Sequence, residues 1–217
     1  AALAAAGCAL TLARAAPAAG SATGSTVDKS RLVHPAGLRP GAAYGASVWG
    51  YTAFNTYIPL HVAGLGGPDA RTVYVVYGVV LLGVRVAGHR LIERLPARRV
   101  GGVSLGCTAA GLLVLLWPPT LVGGTALLAV GQALGLPAFI TAAIDAVPAG
   151  QRGSALATVT AFFDVGFLTS ALGLGAVTQL LGLGAGFTVA AAVSAAALLV
   201  FVRTPTVRTD PSLRSDP

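Results

Sequence analysis

The positions of the charged residues leave three long uncharged stretches in the chain. These are Pro40–Pro68, Val100–Ile144 and Val165–Val202, with 29, 45 and 38 residues respectively. One helical membrane crossing requires about 20 apolar residues. The second stretch is therefore long enough for two helices, and the paired Pro118 and Pro119 mark the break because proline does not fit a helix interior. The third stretch breaks at Gly182, where glycine permits a turn.

This pattern predicts six membrane-spanning helices joined by short loops. They cover residues 42–62, 72–88, 100–117, 121–147, 154–181 and 185–202. A span in lipid must satisfy its backbone hydrogen bonds internally, which a helix does. A β-barrel would need alternating segments of about 10 residues, and the sequence has no such segments. The predicted fold class is therefore all-α, a polytopic membrane protein built as a bundle of six helices over 41–203.

The remaining segments differ from the six spans. Residues 1–13 are apolar but too short to cross a membrane, and we interpret them as the end of a truncated preceding helix. Pro, Gly, Ser and Thr dominate much of 14–40, which predicts a flexible cytoplasmic linker, and 204–217 has the composition of a cytoplasmic tail. The sequence contains no Met, even at position 1, so we expect a fragment of a longer protein.

The composition supports the membrane interpretation. Hydrophobic residues make up 55% of the 217 residues and charged residues only 10%, whereas an ordinary soluble domain has about 25% charged residues. A soluble fold of this size has too little interior to bury so much apolar surface. The two cysteines are too few for a secreted disulfide scaffold. The chain is therefore predicted to be an integral membrane protein.

The basic residues predict the orientation of the spans. Twelve of the 14 Lys and Arg fall in segments on one side of the predicted bundle, which the positive-inside rule assigns to the cytoplasm together with both chain ends. The abundance of Arg, Ala and Gly suggests a bacterial source, and hence a bacterial inner membrane. The net charge of +7 is then explained by topology and by contact with anionic lipid. Nucleic-acid binding is not indicated, because the arginines are divided among short loops without stacking aromatic residues.

The loop between the second and third spans carries a recognisable motif. Its sequence, GHRLIERLPARR over 88–99, resembles the repeated loop signature of major facilitator superfamily transporters, glycine-x-basic-leucine-x-aspartate-arginine-x-glycine-x-basic-basic. The positions that match are Gly88, Arg90, Leu91, Arg94, Arg98 and Arg99. Glu93 replaces the usual aspartate, and Pro96 replaces the usual glycine.

Two weaker features extend the resemblance. Asp145 and Arg152 are separated by six residues, which is similar to the acidic-x6-arginine pattern of sugar porters. The run from Arg152 to Ala155, continued at 162–166, resembles the start of the penultimate helix in bacterial efflux members. The resemblance covers nearly the whole chain and implies the C-terminal half of a twelve-span transporter, built as a 3+3 inverted repeat.

The resemblance also implies a gate of charged residues at the cytoplasmic face. Alternating access requires contacts that close one face and can be broken again, and partly desolvated ion pairs have this property. The alternative is ordinary positive-inside anchoring, with solvated pairs worth under about 1 kcal/mol each. The residues of this predicted gate are Gly88, Arg90, Glu93, Arg94, Arg98, Arg99, Asp145 and Arg152.

Two charged residues lie within predicted spans. Asp164 is about 15 Å into its helix at 1.5 Å per residue, and an intramembrane carboxylate is a functional hypothesis by default. It is a candidate for carrying a proton or contacting substrate, or else a neutral packing contact. Arg85 lies about 8 Å inside the cytoplasmic end of its span. It is predicted to snorkel to the interface, to pair with Asp145, or to contact an anionic substrate.

Polar residues on two other spans are candidates for the substrate pathway. Tyr51 and Asn55 are four residues apart and share a helix face, and Gln132 lies between two glycines on the fourth span. Transporter sites lie near the membrane midplane, so these side chains are expected to line a cavity. The alternative is hydrogen bonding between helices.

Together these features predict movement of a small solute by alternating access, with proton-coupled efflux of drug-like or metabolite molecules as the first hypothesis. The alternatives are uptake of a sugar or organic solute, a non-functional half-transporter and, least favoured, a membrane-embedded enzyme. An enzyme would need clustered acidic or histidine residues at one membrane face, and the sequence has none. No cofactor or metal is predicted. The predicted partners are a small-molecule substrate, protons, the bilayer and a missing N-terminal six-helix half.

Overall fold

A computed structural model describes residues 33–65 and 68–203, with the backbone alone for 89–94. The segment 1–13 and the tail 204–217 lie outside these residues, as does the linker 14–40 apart from its last residues. The linker boundary differs from the prediction, because the first helix already begins at Pro35. Proline is well accommodated in the first turn of a helix, where its missing N–H has no intrahelical partner.

Every regular element in the described part of the chain is helical, which confirms the predicted fold class. Two short 3₁₀ turns, Pro118–Thr120 and Ala149–Gln151, precede the fourth and fifth helices. The six α-helices within 33–65 and 68–203 are α1 (Pro35–Leu65), α2 (Ala70–Arg94), α3 (Ala97–Val114), α4 (Leu121–Ile144), α5 (Arg152–Leu181) and α6 (Leu183–Arg203).

The two breaks within uncharged stretches lie where the sequence predicts them. Pro118 and Pro119 form the 3₁₀ turn between α3 and α4. Gly182 separates α5 from α6 and has φ of 87°, a left-handed conformation that glycine adopts without steric cost. Its N–H donates to the carbonyl of Thr178 at 3.1 Å, which closes the last turn of α5.

Four segments of the described chain are long and apolar enough to span a membrane. They are Ala70–Gly88, Pro118–Ile144, Ala149–Leu181 and Leu183–Arg203. Helix α1 is long enough but contains many Gly, Ser, Thr and Tyr residues, and α3 has only 18 residues with two arginines at its start. The predicted crossings at 42–62 and 100–117 therefore remain predictions.

The exposed surface of the bundle is apolar. Leu180 is 82% exposed, Val86 74% and Trp117 70%. A soluble monomer rarely presents large contiguous apolar patches to water, whereas lipid is an equally apolar surrounding. The distribution of exposed side chains therefore agrees with a multi-pass membrane protein.

Helix α1 lies at the centre of the packing. It contacts α4, α5 and α6 along its length, while α3 packs most extensively on α4. The main core contains Phe54 and Ile58 from α1, Leu128 from α4 and Phe187 from α6. Helix α2 is more peripheral, because it packs mainly on α4 and touches α1 at few points. This arrangement leaves a space between α2 and the centre of the bundle.

Candidate functional site

A cavity of about 190 Å³ lies among α1, α2, α4 and α5. Three of the five residues predicted for the substrate or proton pathway line it, namely Tyr51, Arg85 and Gln132. Tyr51 is near the middle of α1 and Gln132 near the middle of α4. The cavity thus lies near the middle of these two helices. Its other lining residues are Tyr44, Val48, Tyr77, Leu81, Leu136 and Phe163.

Arg85 supplies the positive charge of the cavity. It is the one charged residue among the residues 72–88 of α2, and it is within electrostatic reach of the phenol groups of Tyr44 and Tyr77. Because α2 continues to Arg94, Arg85 lies about 13 Å from the helix end at 1.5 Å per residue. The apolar segment of this helix that could span a membrane ends earlier, at Gly88. Within the described part of the chain Arg85 forms no ion pair with Asp145.

Aromatic rings form much of the cavity wall. Tyr44 on α1 stacks on Phe163 of α5 with ring centroids 5.3 Å apart and planes at 28°, and it contacts Phe139 of α4 at 5.9 Å. Tyr77 of α2 stacks on Phe54 at 4.7 Å. Such contacts hold both tyrosines in fixed orientations, so the wall is a preformed surface for an apolar or aromatic solute.

Gln132 connects three helices at the inner wall. Its Nε2 donates to the carbonyl of Ser47 on α1 and lies 3.3 Å from Oγ of Ser47 and from Oγ1 of Thr108 on α3. Both hydroxyl residues are buried. From the sequence, Gln132 could either line a cavity or form hydrogen bonds between helices. In the structure it does both.

Two buried polar atoms have no hydrogen-bond partner among the described residues. They are the hydroxyl of Tyr77 and Nε2 of His61. An unmade hydrogen bond of this kind costs about 1–3 kcal/mol. His61 is remote from the cavity lining, and its ring contacts Phe187 at 5.2 Å. Tyr77 is among the residues that line the cavity.

Asp164 and Asn55 are not among the cavity-lining residues. The amide of Asn55 donates to the carbonyl of Tyr51 in its own helix at 3.0 Å. Asp164 lies near the middle of α5 on an exposed face, next to the cavity residue Phe163. It makes no hydrogen bond or ion pair with another described side chain.

The structure describes part of the predicted cytoplasmic gate. Asp145 and Arg152 are both exposed, and no ion pair joins them in the described ranges. Arg98 donates to the carbonyl of Val202 at 2.6 Å, which ties the start of α3 to the end of α6, and Arg99 lies beside it at the same groove. Gly88 lies within α2, while the side chains of Arg90, Glu93 and Arg94 are outside the described set.

No group of three His, Cys, Asp or Glu side chains that could hold a metal ion occurs within 33–65 and 68–203. The free thiol of Cys107 is half-buried in α3. The polar groups of the cavity are a guanidinium, an amide and phenols. Groups of these types can form charged contacts and hydrogen bonds with a ligand.

Sequence reasoning missed the aromatic residues Tyr44, Tyr77 and Phe163. Tyr44 is seven residues before Tyr51, and Tyr77 is eight before Arg85. These separations are close to two helical turns, so each pair shares a face. The spacing contained this information, but only the assembly of four helices shows that the two faces meet.

Comparison with known proteins identifies the class of this membrane bundle. The sequence profile of the Major Facilitator Superfamily matches residues 40–216. The chain belongs to this superfamily. Its members are transporters rather than enzymes, so the predicted family and the predicted absence of enzymatic activity are both confirmed.

Curated relatives have the same classification. The chain is 37% identical over 137 residues to an uncharacterized MFS-type transporter of Pseudomonas aeruginosa strain LESB58, and the match covers 61% of this chain and 33% of the relative. It is 33% identical over 138 residues to a similarly named protein of Burkholderia mallei strain SAVP1, with 62% and 32% covered. The matched region thus spans about a third of the length of these relatives. No solved structure matches the chain.

Proposed function

We propose that this chain forms the C-terminal half of a major facilitator superfamily transporter in a bacterial inner membrane, with both ends in the cytoplasm. The half would move a small solute by rocking against a second, N-terminal six-helix half. One observation carries the proposal, namely the convergence of Tyr51, Arg85 and Gln132 on a cavity at mid-bundle. These residues were selected from the sequence independently of one another, and transporter sites are found at this depth.

Asp164 supports coupling of this transport to protons. A charged carboxylate in lipid near mid-membrane is energetically costly, yet the described residues provide Asp164 with no ion pair and no hydrogen bond. Its exposed face on α5 would therefore need a polar surrounding. Intramembrane carboxylates of this kind mark proton relays in pumps and transporters, and this is the role we assign to Asp164.

We propose efflux of a drug-like or metabolite molecule as the direction of this transport. The aromatic wall formed by Tyr44 and Phe163 favours a solute with a flat apolar part over a purely polar one. The alternative function is uptake of a sugar or organic solute. The charges at 88–99, Asp145 and Arg152 would form the cytoplasmic gate in a conformation in which the second half closes against them.

The test reconstitutes the protein, translated from its own start codon, in liposomes that enclose the pH-sensitive dye pyranine. Benzoate, ethidium and glucose are added in turn across an imposed pH gradient, with protein-free liposomes as the control. Proton movement that depends on one of these solutes supports a proton-coupled transporter, and glucose as the active solute would favour uptake over efflux. Absence of both solute uptake and proton movement across the panel, in protein shown to be folded, would contradict the proposal.

A further inference from the structure

The cavity contains a positive charge that its own lining does not neutralise. Arg85 is the one ionised side chain among the nine lining residues, and none of the nine carries a carboxylate. The side chain of Arg85 is exposed on α2, and a guanidinium in an apolar membrane surrounding is stable when an anion accepts its hydrogen bonds. In the described part of the chain no carboxylate forms an ion pair with it. No counter-charge for Arg85 is therefore found among the described residues.

A second group in the same wall also lacks an acceptor. The hydroxyl of Tyr77 is buried without a hydrogen-bond partner, and it lies within electrostatic reach of Arg85. The stacking of its ring on Phe54 at 4.7 Å limits reorientation toward another acceptor. An anion bound to Arg85 would supply the missing acceptor to the phenol, since carboxylate oxygens accept several hydrogen bonds at once.

The rest of the cavity is suited to a ring. The stacked pair of Tyr44 and Phe163 provides an aromatic surface, and Val48, Leu81 and Leu136 provide aliphatic contacts. A protein cavity of about 150 Å³ accommodates benzene, and this one has about 190 Å³. The additional cavity volume is of the order that one small substituent on the ring would occupy.

We infer that the cavity binds a small aromatic carboxylate, with its charged end on Arg85 and Tyr77 and its ring against Tyr44 and Phe163. This inference rests on the proposed transport function and specifies the chemical class of the solute. The guanidinium provides a planar, doubly hydrogen-bonding partner for the carboxylate. The aromatic wall then selects for a flat apolar body over a simple anion.

The test measures binding by isothermal titration calorimetry to the detergent-solubilised protein as its gene encodes it. The probes are benzoate, the neutral isostere benzamide, acetate and inorganic phosphate. We expect benzoate to bind at least tenfold more tightly than benzamide or acetate. Equal affinity for benzamide would overturn the requirement for an anion, and equal affinity for acetate or phosphate would overturn the requirement for a ring.

Variants test whether the preference for benzoate depends on the residues of the cavity. Arg85→Gln should remove the preference for benzoate over benzamide, Arg85→Lys should retain part of it, and Tyr77→Phe should weaken benzoate binding several-fold. The matched controls are Arg71→Gln, an exposed arginine at the start of the same helix, and Tyr57→Phe on α1, whose hydroxyl makes no hydrogen bond within the described residues. Both controls should leave affinity unchanged. Unaltered benzoate preference in the folded Arg85→Gln and Arg85→Lys variants would refute the inference.

The inference and the proposed function can fail separately. Solute-dependent proton movement with ethidium or glucose, but with no selective binding of benzoate, would refute the aromatic carboxylate and leave the transporter standing. Selective benzoate binding without transport of any solute would support the cavity assignment and contradict the proposed function. Each result is obtained on the same purified protein, so the two outcomes are directly comparable.

Discussion

Gly45 of α1 and Gly166 of α5 bring the backbones of their helices into direct contact. A Cβ atom added at Gly166 would lie 2.6 Å from the carbonyl oxygen of Gly45 and 2.7 Å from its Cα. These neighbours are backbone atoms, so they cannot move aside as a flexible side chain would. Small residues allow such close approach in membrane bundles, and here they place Tyr44 of α1 against Phe163 of α5.

We therefore expect Gly166→Ala to lower stability by about 1–3 kcal/mol, the usual cost of overpacking. The matched control is Gly175→Ala in the same helix, where nothing lies within 4 Å of the added methyl group. That change should be neutral or slightly stabilising, because alanine is the better helix former. Thermal unfolding in detergent measures both, and equal melting temperatures would contradict the close contact.

Tyr74→Phe should destabilise the attachment of α2 to α1. The Tyr74 hydroxyl donates to the carbonyl of Asn55 at 2.9 Å, and α2 otherwise has few contacts with α1. Loss of one such hydrogen bond costs about 0.5–1.5 kcal/mol. The control is Tyr57→Phe, since the Tyr57 hydroxyl makes no hydrogen bond in the described part of the chain. If neither variant changes the melting temperature, the hydrogen bond of Tyr74 contributes nothing to stability.

Gln132→Leu should lower stability by about 1–3 kcal/mol, because the carbonyl of Ser47 loses its donor and both helices α1 and α3 lose a shared partner. The melting temperature in detergent measures this loss.

Gln132→Glu keeps the size of the side chain but introduces a carboxylate next to the cavity. In the variant Gln132→Glu, which also lacks the amide donor to the Ser47 carbonyl, we expect benzoate affinity in the folded protein to fall at least tenfold through charge repulsion. Undiminished benzoate binding in this variant would contradict the placement of the anion in this cavity.

Asp164→Asn should abolish solute-linked proton movement and leave the fold intact, since Asp164 has no polar contact to lose among the described residues. The readout is pyranine fluorescence in proteoliposomes, together with the melting temperature. Thr160→Ala serves as control, because it lies one turn earlier on the same exposed face and bonds only within its own helix. Proton movement at the original rate in Asp164→Asn would remove this residue from the pathway.

The orientation of the bundle is testable with single cysteines in a background in which Cys8 and Cys107 are serine. Gly150→Cys, in the exposed turn before α5, should react with a membrane-impermeant maleimide only in inside-out vesicles. Pro68→Cys, in the exposed loop before α2, should react only in right-side-out vesicles. The expectation follows from the positive-inside rule, and the reverse pattern would invert the topology.

The helix breaks were predictable because they depend on local chemistry. Proline at 118 and 119 cannot continue a helix, and Gly182 adopts a positive φ that other residues avoid. The family was predictable from the loop motif at 88–99, which belongs to one contiguous segment. These features require no knowledge of how the helices are arranged.

The composition of the cavity was only partly predictable. Polar residues such as Arg85 and Gln132 are conspicuous in an apolar span and could be selected directly. Tyr44, Tyr77 and Phe163 are ordinary residues for a membrane helix, so only the rotation of each helix in the bundle distinguishes them. Helices with apolar residues on all sides have no amphipathic periodicity from which to read that rotation.

The residues that line the cavity belong to two parts of the bundle, and these parts differ in how extensively they pack on their neighbours. Arg85 and Tyr77 are both on the peripheral helix α2, whereas Tyr44 and Phe163 belong to the tightly packed pair α1 and α5. A small displacement of α2 would separate the charged contact from the ring contact while the centre of the bundle stays unchanged. Solute release would then need only the tilting of one helix, and mutations on α2 would alter charge preference independently of size preference.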